Sequence, residues 1–124
     1  MIQKVIVSGI LLLLIDSIYL YSVSKYFNNQ IKMIQGSNIK LELLSTLLSY
    51  FFLIIGLNHF VIQRNGSILD AFLLGLVIYM VYECTNKAII LKWKWSTVLL
   101  DGVWGGILFA LTTYGTYKIC KYLK

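Results

Sequence analysis

Three acidic side chains lie within long apolar stretches of the 124-residue sequence: Asp16, Glu83 and Asp101. A carboxylate near the centre of a membrane-spanning helix costs roughly 2.5 to 3.5 kcal/mol on insertion scales. Such a group is therefore expected to face the interior of a helix bundle and to have a partner there. Carboxyl groups in that setting can hold or pass a proton, bind a cation, or fasten helices together through hydrogen bonds.

The three acids are predicted to lie at a similar depth in the membrane. Each is at most nine positions from a lysine of the nearest polar segment, and the pairs are Asp16 with Lys25, Glu83 with Lys87, and Asp101 with Lys94. At about 1.5 Å per helical residue, all three fall in the membrane half nearest the first and third loops. We therefore expect them to share one polar site.

Hydrogen-bonding side chains recur near these acids at the three- and four-residue spacing that places neighbours on one face of a helix. Tyrosine, asparagine and tryptophan each lie about one turn from an acid, and one tyrosine of the second apolar run reaches a similar depth. The predicted binding residues of this polar cluster are Asp16, Tyr19, Tyr50, Tyr82, Glu83, Asn86, Asp101 and Trp104.

Three interpretations of the polar cluster remain open. In the first, the acids are protonated and hydrogen-bonded between helices, so that they fix the helix register. In the second, they form a relay for a proton or cation, or a site for a substrate headgroup. In the third, Glu83 and Asp101 reach the membrane surface and pair with lysines of the third loop.

The sequence contains no recognisable catalytic motif. It has no HExxH, no CxxC and no glycine-rich phosphate loop, and the single histidine, His59, lies towards the opposite membrane face from the acids. We therefore predict no catalytic residue, no metal ligand and no cofactor. An enzyme is not favoured, although an intramembrane lipid enzyme is kept as a third functional class.

The elements that must position the acids are four apolar runs. The chain is 59% hydrophobic and 13% charged, contains no proline, and has a mean hydropathy of +0.79. Runs of this length suit membrane-spanning helices, which need about 20 residues. They predict an all-α, integral membrane, antiparallel bundle of four helices in one domain, residues 1–124, with helices at about 5–24, 41–62, 68–86 and 96–117. Asp16 interrupts the first run, which favours a retained helix over a signal peptide.

The net charge of +6 comes from basic residues that flank the apolar runs. This arrangement suits a lipid bilayer as the partner and excludes nucleic acid, because no basic stripe forms a surface that would fit a groove. Five basic residues lie on one side, Lys4, Arg64, Lys118, Lys121 and Lys124, and six on the other, Lys25, Lys32, Lys40, Lys87, Lys92 and Lys94. The orientation in the membrane is therefore not decided.

Small residues on the fourth helix predict a close helix contact. Gly102, Gly106 and Ala110 follow the small-xxx-small pattern, which lets another helix approach within the bundle or in an oligomer. A homo-oligomer and association with other membrane proteins are both left open. Trp93 and Trp95, which alternate with lysines, are predicted to be interfacial anchors.

Over nearly its whole length the chain resembles a family of small predicted membrane proteins catalogued as domain of unknown function 2177, and the resemblance is specific in residues 82–105. The matching residues are Tyr82, Glu83, Thr85, Asn86, Trp93, Asp101, Trp104 and Gly105, with Asp16 and Tyr19 similar in the first helix. This chain has Glu83 where the family usually has aspartate, and Lys92-Trp93-Lys94 in place of a Gly-Trp-Pro turn. The resemblance implies four spanning helices and a shared polar cluster, but it supplies no function.

The preferred function is that of a small membrane binder or carrier for a proton, a cation or a cationic headgroup. In this hypothesis Asp16, Glu83 and Asp101 hold the ligand. Their hydrogen-bond partners are Tyr50, Tyr82 and Asn86. The alternative is a non-catalytic structural or assembly component of a cellular or viral membrane. A high content of isoleucine, lysine and asparagine fits an AT-rich genome and leaves a viral source open.

Overall fold

A computed structural model of the chain describes residues 1–39 and 42–123. These residues form four α-helices, α1 (Ile2–Gln35), α2 (Leu43–Phe60), α3 (Ile68–Ile89) and α4 (Trp95–Tyr122), and one short 3₁₀ turn, Ile62–Arg64. All four helices are long and apolar enough to cross a membrane. The predicted all-α bundle of four membrane-spanning helices is confirmed.

α1 is longer than predicted, because it continues past residue 24 to Gln35. The polar composition after Lys25 suggests a loop, but this stretch contains neither glycine nor proline and is compatible with a helix. Gly36 ends the helix in the left-handed conformation, with φ of 77°, and its N–H donates to the carbonyl of Lys32. At about 1.5 Å per residue α1 exceeds the roughly 30 Å of the hydrocarbon layer, so its last turns lie outside that layer.

The ends of the other helices follow local capping chemistry. The Glu42 carboxylate accepts a 2.8 Å hydrogen bond from the Ser45 N–H and caps α2. Ser67 caps α3 by accepting from the Asp70 N–H at 3.0 Å. α2 ends at Phe60, before the predicted 62, whereas α3 and α4 both continue beyond their predicted ends. The predicted start of the second helix at Leu41, and the flanking residues Lys40 and Lys124, lie outside the described residues.

α4 is the central helix of the bundle, and α3 packs most closely against it. Glycines permit this approach: a Cβ atom at Gly75 would overlap the carbonyl oxygen of Gly105. α1 packs on α4 and on α2, whereas α2 and α3 barely touch. The bundle is therefore tight between α3 and α4 and open between α2 and α3.

The apolar core and the polar cluster occupy different halves of the bundle. The main cluster of buried apolar side chains lies in the half nearest the α2–α3 turn, and its members are Leu12, Leu57, Val61, Ile62, Ala71, Leu108 and Phe109. The three intramembrane acids lie in the half nearest the α3–α4 turn. Hydrophobic side chains elsewhere on the helices are widely exposed, as expected for surfaces that face lipid.

Candidate functional site

Asp16 is a buried carboxylate on α1 that connects three helices. Its Oδ2 accepts a 2.5 Å hydrogen bond from the Tyr50 hydroxyl of α2. Its Oδ1 accepts a 2.9 Å hydrogen bond from the indole N–H of Trp104 on α4. The side chain is only 6% exposed. Its two neutral donors replace the water that the carboxylate loses on burial.

Tyr19 and Trp104 connect Asp16 to the second acid, Asp101. The two aromatic rings are stacked, with centroids 4.3 Å apart and planes 6° from parallel. The Tyr19 hydroxyl donates to Asp101 Oδ1 at 3.3 Å. Because Trp104 donates to Asp16 and Tyr19 donates to Asp101, the stacked pair holds both carboxyl groups on one side of α4.

Glu83 is the most deeply buried of the three acids, with 1% of its surface exposed. Its Oε1 accepts a 2.8 Å hydrogen bond from the indole N–H of Trp93. Glu83 and Asp101 line the same cavity, so the third acid lies beside the second.

Trp93 does not fit the prediction of an interfacial anchor. Its side chain is 5% exposed and its indole N–H reaches Glu83 inside the bundle. Its backbone N–H donates to the Ile90 carbonyl in the turn that follows α3. Trp95 is 63% exposed, as an anchor at the membrane surface would be. The clue to Trp93 in the sequence is its place immediately after a helix that carries a buried acid.

Tyr82 and Asn86 share α3 with Glu83 but not its hydrogen bonds. Tyr82 is adjacent in sequence to Glu83, so it points about 100° away around the helix, and it is 58% exposed. Within residues 1–39 and 42–123, the Asn86 side chain forms no hydrogen bond. The other predicted cluster residues (Asp16, Tyr19, Tyr50, Glu83, Asp101 and Trp104) lie together.

Among the described residues, four side chains donate hydrogen bonds to the three intramembrane acids. All four donors are neutral tyrosine or tryptophan side chains. The lysines of the third loop, which are candidate ion-pair partners, make other contacts: Lys92 donates to the Met33 carbonyl at 3.2 Å, and Lys87 lies over the ring of Trp95. Glu83 is 1% exposed, and Asp101 accepts from Tyr19 inside the bundle. Across the described residues neither acid forms an ion pair with a lysine of the third loop, so the interpretation in which Glu83 and Asp101 reach the surface to pair with lysines is wrong. In the part of the chain that the structure describes, no cluster of histidine, cysteine and acidic side chains could hold a metal ion.

The remaining two of the five acids have a different role. Glu42 and Asp70 lie at the starts of α2 and α3, where the helix dipole favours negative charge. Hydrogen bonds from Ser45 lower the pKa of Glu42 from its ordinary value. Glu42 caps α2 and Asp70 lies in the first turn of α3, so both have a local role at a helix start that the three intramembrane acids do not have.

Two cavities reach the polar cluster. One, of about 330 Å³, lies between α2 and α3, and its lining includes Leu53, Ile78, Tyr79, Tyr82 and Asp101. The other, of about 410 Å³, lies between α1 and the α3–α4 turn, and its lining includes Leu20, Phe27, Tyr82, Glu83, Trp93 and Asp101. Tyr82 and Asp101 line both, so the two cavities adjoin at these residues.

A second polar group, missed by the sequence interpretation, attaches the end of α1 to the α3–α4 turn. The Thr97 hydroxyl donates to Gln30 Oε1 at 2.9 Å, and Gln30 Nε2 donates to the Lys92 carbonyl at 2.8 Å. Tyr26 bonds to Thr97 at 2.8 Å. These contacts fix the turn that contains Trp93, and recognising that α1 continues past residue 24 would have placed Gln30 beside the turn.

The small residues of α4 lie mainly against α3. A Cβ atom at Gly102 would come within 2.5 Å of the Met80 sulfur, and one at Gly106 within 2.8 Å of the Phe72 ring. Ala110 is half-buried. The two glycines therefore contact another helix of the same bundle.

The fold and its apolar surface define a multi-pass integral membrane protein with four spanning helices. A family model described as "Predicted membrane protein (DUF2177)" matches residues 1–118, and the chain belongs to that family. The resemblance found in residues 82–105 is thus confirmed over nearly the whole chain. No match was found among curated proteins or among solved structures.

Proposed function

We propose that the chain binds a proton or a cation at the polar cluster of Asp16, Glu83 and Asp101, and that it acts as a small membrane binder or carrier. The observation that carries this proposal is the pairing of three clustered carboxyl groups with neutral tyrosine and tryptophan donors within the described residues. Acids held for helix packing need no accessible space beside them, whereas this cluster adjoins two cavities.

Electrostatics explains why such a cluster would take up positive charge. Two like unit charges about 4 Å apart repel by about 4 kcal/mol at an effective dielectric constant of about 20. Three carboxylates near one another in a membrane therefore favour any species that neutralises one of them. A proton bound to one of the acids would do so, and a cation in the adjoining cavity would do so at Asp101.

Aromatic rings beside the acids favour an organic cation as well as a proton. Tyr79 and Tyr82 line the same cavity as Asp101. The faces of aromatic rings attract ammonium groups by about 0.5 to 2 kcal/mol, depending on how far the site is desolvated. This chemistry supports the cationic headgroup among the candidate ligands.

A structural or assembly role in a cellular or viral membrane is the second candidate, with other copies or other membrane proteins as partners. One observation favours it: Asp16 bridges α1, α2 and α4 through Tyr50 and Trp104. A carboxylate with that role would be needed for helix packing even if no ligand bound.

Proton release on cation binding separates the two candidates. Purified protein in an uncharged detergent is placed in weak buffer, and protons released on separate additions of sodium, potassium and tetramethylammonium chloride are followed with a pH dye. We expect at least one cation to release protons from the wild type and from Asp70→Asn, a matched control with an acid removed at the helix start. The triple variant Asp16→Asn/Glu83→Gln/Asp101→Asn should release none.

Two outcomes would contradict the carrier proposal. One is the absence of cation-dependent release from the wild type, together with infrared spectra that show no carboxyl protonation change between about pH 5 and pH 9, the range that shifted carboxyl groups can span. The other is a triple variant that releases protons as the wild type does. A triple variant that only loses thermal stability, with no ligand effect in the wild type, would favour the structural role.

A further inference from the structure

The gap between α2 and α3 opens the polar cluster sideways, towards lipid. α2 packs against α1 and against the turn that follows it, but barely against α3. The cavity of about 330 Å³ fills this gap, with Ser49 and Leu53 on the α2 wall and Ile78 on the α3 wall. Ser49 is exposed, so the cavity begins at the outer surface of the bundle.

The lining of this cavity combines apolar and polar side chains. Leu53 and Ile78 provide apolar walls on α2 and α3, and Tyr79 and Asp101 are partly buried beside them. Among the described residues that line the cavity, the carboxyl group is that of Asp101, on the central helix α4. An inorganic ion entering here would lose its water against apolar walls, whereas an amphiphile would keep its chain in lipid throughout.

We propose that the ligand of the polar cluster is a single-chain amphiphile with an ammonium headgroup, which enters between α2 and α3 and places its headgroup at Asp101. This inference rests on the proposed function and adds the class of ligand and its route. The carboxyl group of Asp101, ionised when the cation displaces its proton, and the rings of Tyr79 and Tyr82 complement an alkylated ammonium group. A cavity of about 330 Å³ holds the headgroup and the first methylenes, and the rest of the chain extends into the bilayer.

The second cavity gives the headgroup an onward path. It adjoins the first at Tyr82 and Asp101 and continues past Glu83 and Trp93 towards Gln35 at the end of α1. Because α1 extends beyond the hydrocarbon layer, this end lies at the water-facing surface. Tyr82 therefore stands between a lipid-side opening and a water-side opening, where its ring can contact an ammonium group that moves from Asp101 to Glu83.

The test compares an amphiphile with its isolated headgroup. Dodecyltrimethylammonium and tetramethylammonium are titrated, at concentrations below micelle formation for the former, into protein held in maltoside micelles, and dissociation constants are measured by isothermal titration calorimetry. Dodecanol supplies the chain without the charge. We expect the wild type to bind dodecyltrimethylammonium at least about tenfold more tightly than tetramethylammonium, and to bind dodecanol more weakly than the charged amphiphile by a similar factor.

Variants locate the route. Ser49→Phe narrows the gap without touching an acid, and should weaken binding of the amphiphile by about tenfold while leaving tetramethylammonium, which can enter from water, unchanged. Leu47→Phe, on the exposed surface of α2, is the matched control and should bind as the wild type does. Asp101→Asn should weaken binding of both cations, and Asp70→Asn neither.

The outcomes distinguish the two proposals. If tetramethylammonium binds in a manner that depends on Asp101, but the alkyl chain adds no affinity or Ser49→Phe has no effect, the lateral route is wrong and the cation site stands. If neither organic cation binds and no cation releases protons from the wild type, both proposals fail.

Discussion

The indole nitrogen of Trp93 lies 2.8 Å from the carboxylate of Glu83, and both side chains are buried. Trp93 belongs to the turn between α3 and α4, so this hydrogen bond fixes the turn against the end of α3. It also gives the most buried acid a neutral donor. The turn therefore contacts the polar cluster through Trp93, and a change in the turn should alter the hydrogen bonding of Glu83.

Replacing Trp93 with phenylalanine should destabilise the protein by about 1 to 3 kcal/mol, because a buried carboxyl group loses a hydrogen-bond donor. The effect can be measured as a lower thermal midpoint in detergent. Trp95→Phe is the matched control, since Trp95 is 63% exposed, and its effect should stay within about 0.5 kcal/mol. Equal midpoints for the two variants would contradict the role assigned to Trp93.

Physical differences in the signals explain which features the sequence predicted. Four helices were predictable because a membrane-spanning run of apolar residues must satisfy its own backbone hydrogen bonds, and a helix does so within the run. The shared position of Asp16 and Asp101 followed from counting helical rise. Trp93 was misplaced because lysines on both sides suggest the membrane surface, whereas a turn can direct its side chain inward. Gln30 was missed because a polar stretch is not necessarily a loop.

The orientation of Tyr82 could not be predicted from spacing alone. Tyr82 is spaced three residues from Tyr79 and four from Asn86, so the three share one face of α3. Because α3 has different neighbours on each side, residues of that face lie in different surroundings. Tyr79 packs against Gly105 of α4, whereas Tyr82 borders the cavities. The surroundings of each tyrosine depend on which helices lie on either side of α3, and an antiparallel order of helices does not specify those neighbours.

The hydrogen bond between Tyr50 and Asp16 should contribute measurably to the attachment of α2. Tyr50→Phe removes the hydroxyl and keeps the ring, and Asp16→Asn keeps the shape of the acceptor. In a double-mutant cycle we expect a coupling free energy between about 0.6 and 1.7 kcal/mol, the average and the maximum for hydrogen bonds between membrane helices. Tyr21→Phe is the control, because Tyr21 is 85% exposed, and its coupling to Asp16→Asn should be near zero. Comparable coupling in both cycles would contradict the assignment.

The close contact of α3 and α4 at Gly75 should not tolerate a methyl group. A Cβ atom there would overlap the carbonyl oxygen of Gly105, and backbone atoms cannot rotate away as a side chain can. Gly75→Ala should therefore destabilise the bundle by about 1 to 3 kcal/mol or more. The effect can be measured as a lower midpoint of thermal unfolding in detergent.

Gly56→Ala is the control for Gly75→Ala, since a Cβ atom at Gly56 would have no neighbouring atom of the described residues within 4 Å, and alanine is the better helix former. We expect Gly56→Ala to be neutral or slightly stabilising in the same thermal unfolding measurement. A Gly75→Ala variant as stable as the wild type would mean that α3 and α4 are further apart.

Gln30 should hold the last turns of α1 in place against the α3–α4 turn. Its side chain accepts from Thr97 and donates to the Lys92 carbonyl, and only 2% of its surface is exposed. Gln30→Ala leaves both partners without it, at a cost of about 1 to 3 kcal/mol if they stay buried. Because the last turns of α1 lie outside the hydrocarbon layer, the loss should appear as local opening. Hydrogen exchange should become about five- to hundredfold faster for amides in residues 31–35, and much less so for residues 8–20.

Asn29→Ala is the matched control for Gln30→Ala, because Asn29 is an exposed neighbour on the same helix and its replacement removes an amide of similar polarity. Its exchange rates in residues 31–35 should stay near those of the wild type. Equal acceleration in the two variants would mean that the end of α1 opens independently of the α3–α4 turn. Acceleration in Gln30→Ala alone, together with a change in Trp93 fluorescence, would connect the end of α1 to the turn that supplies the donor of Glu83. A change in tryptophan fluorescence should survive in a Trp95→Phe background, where the exposed tryptophan no longer contributes.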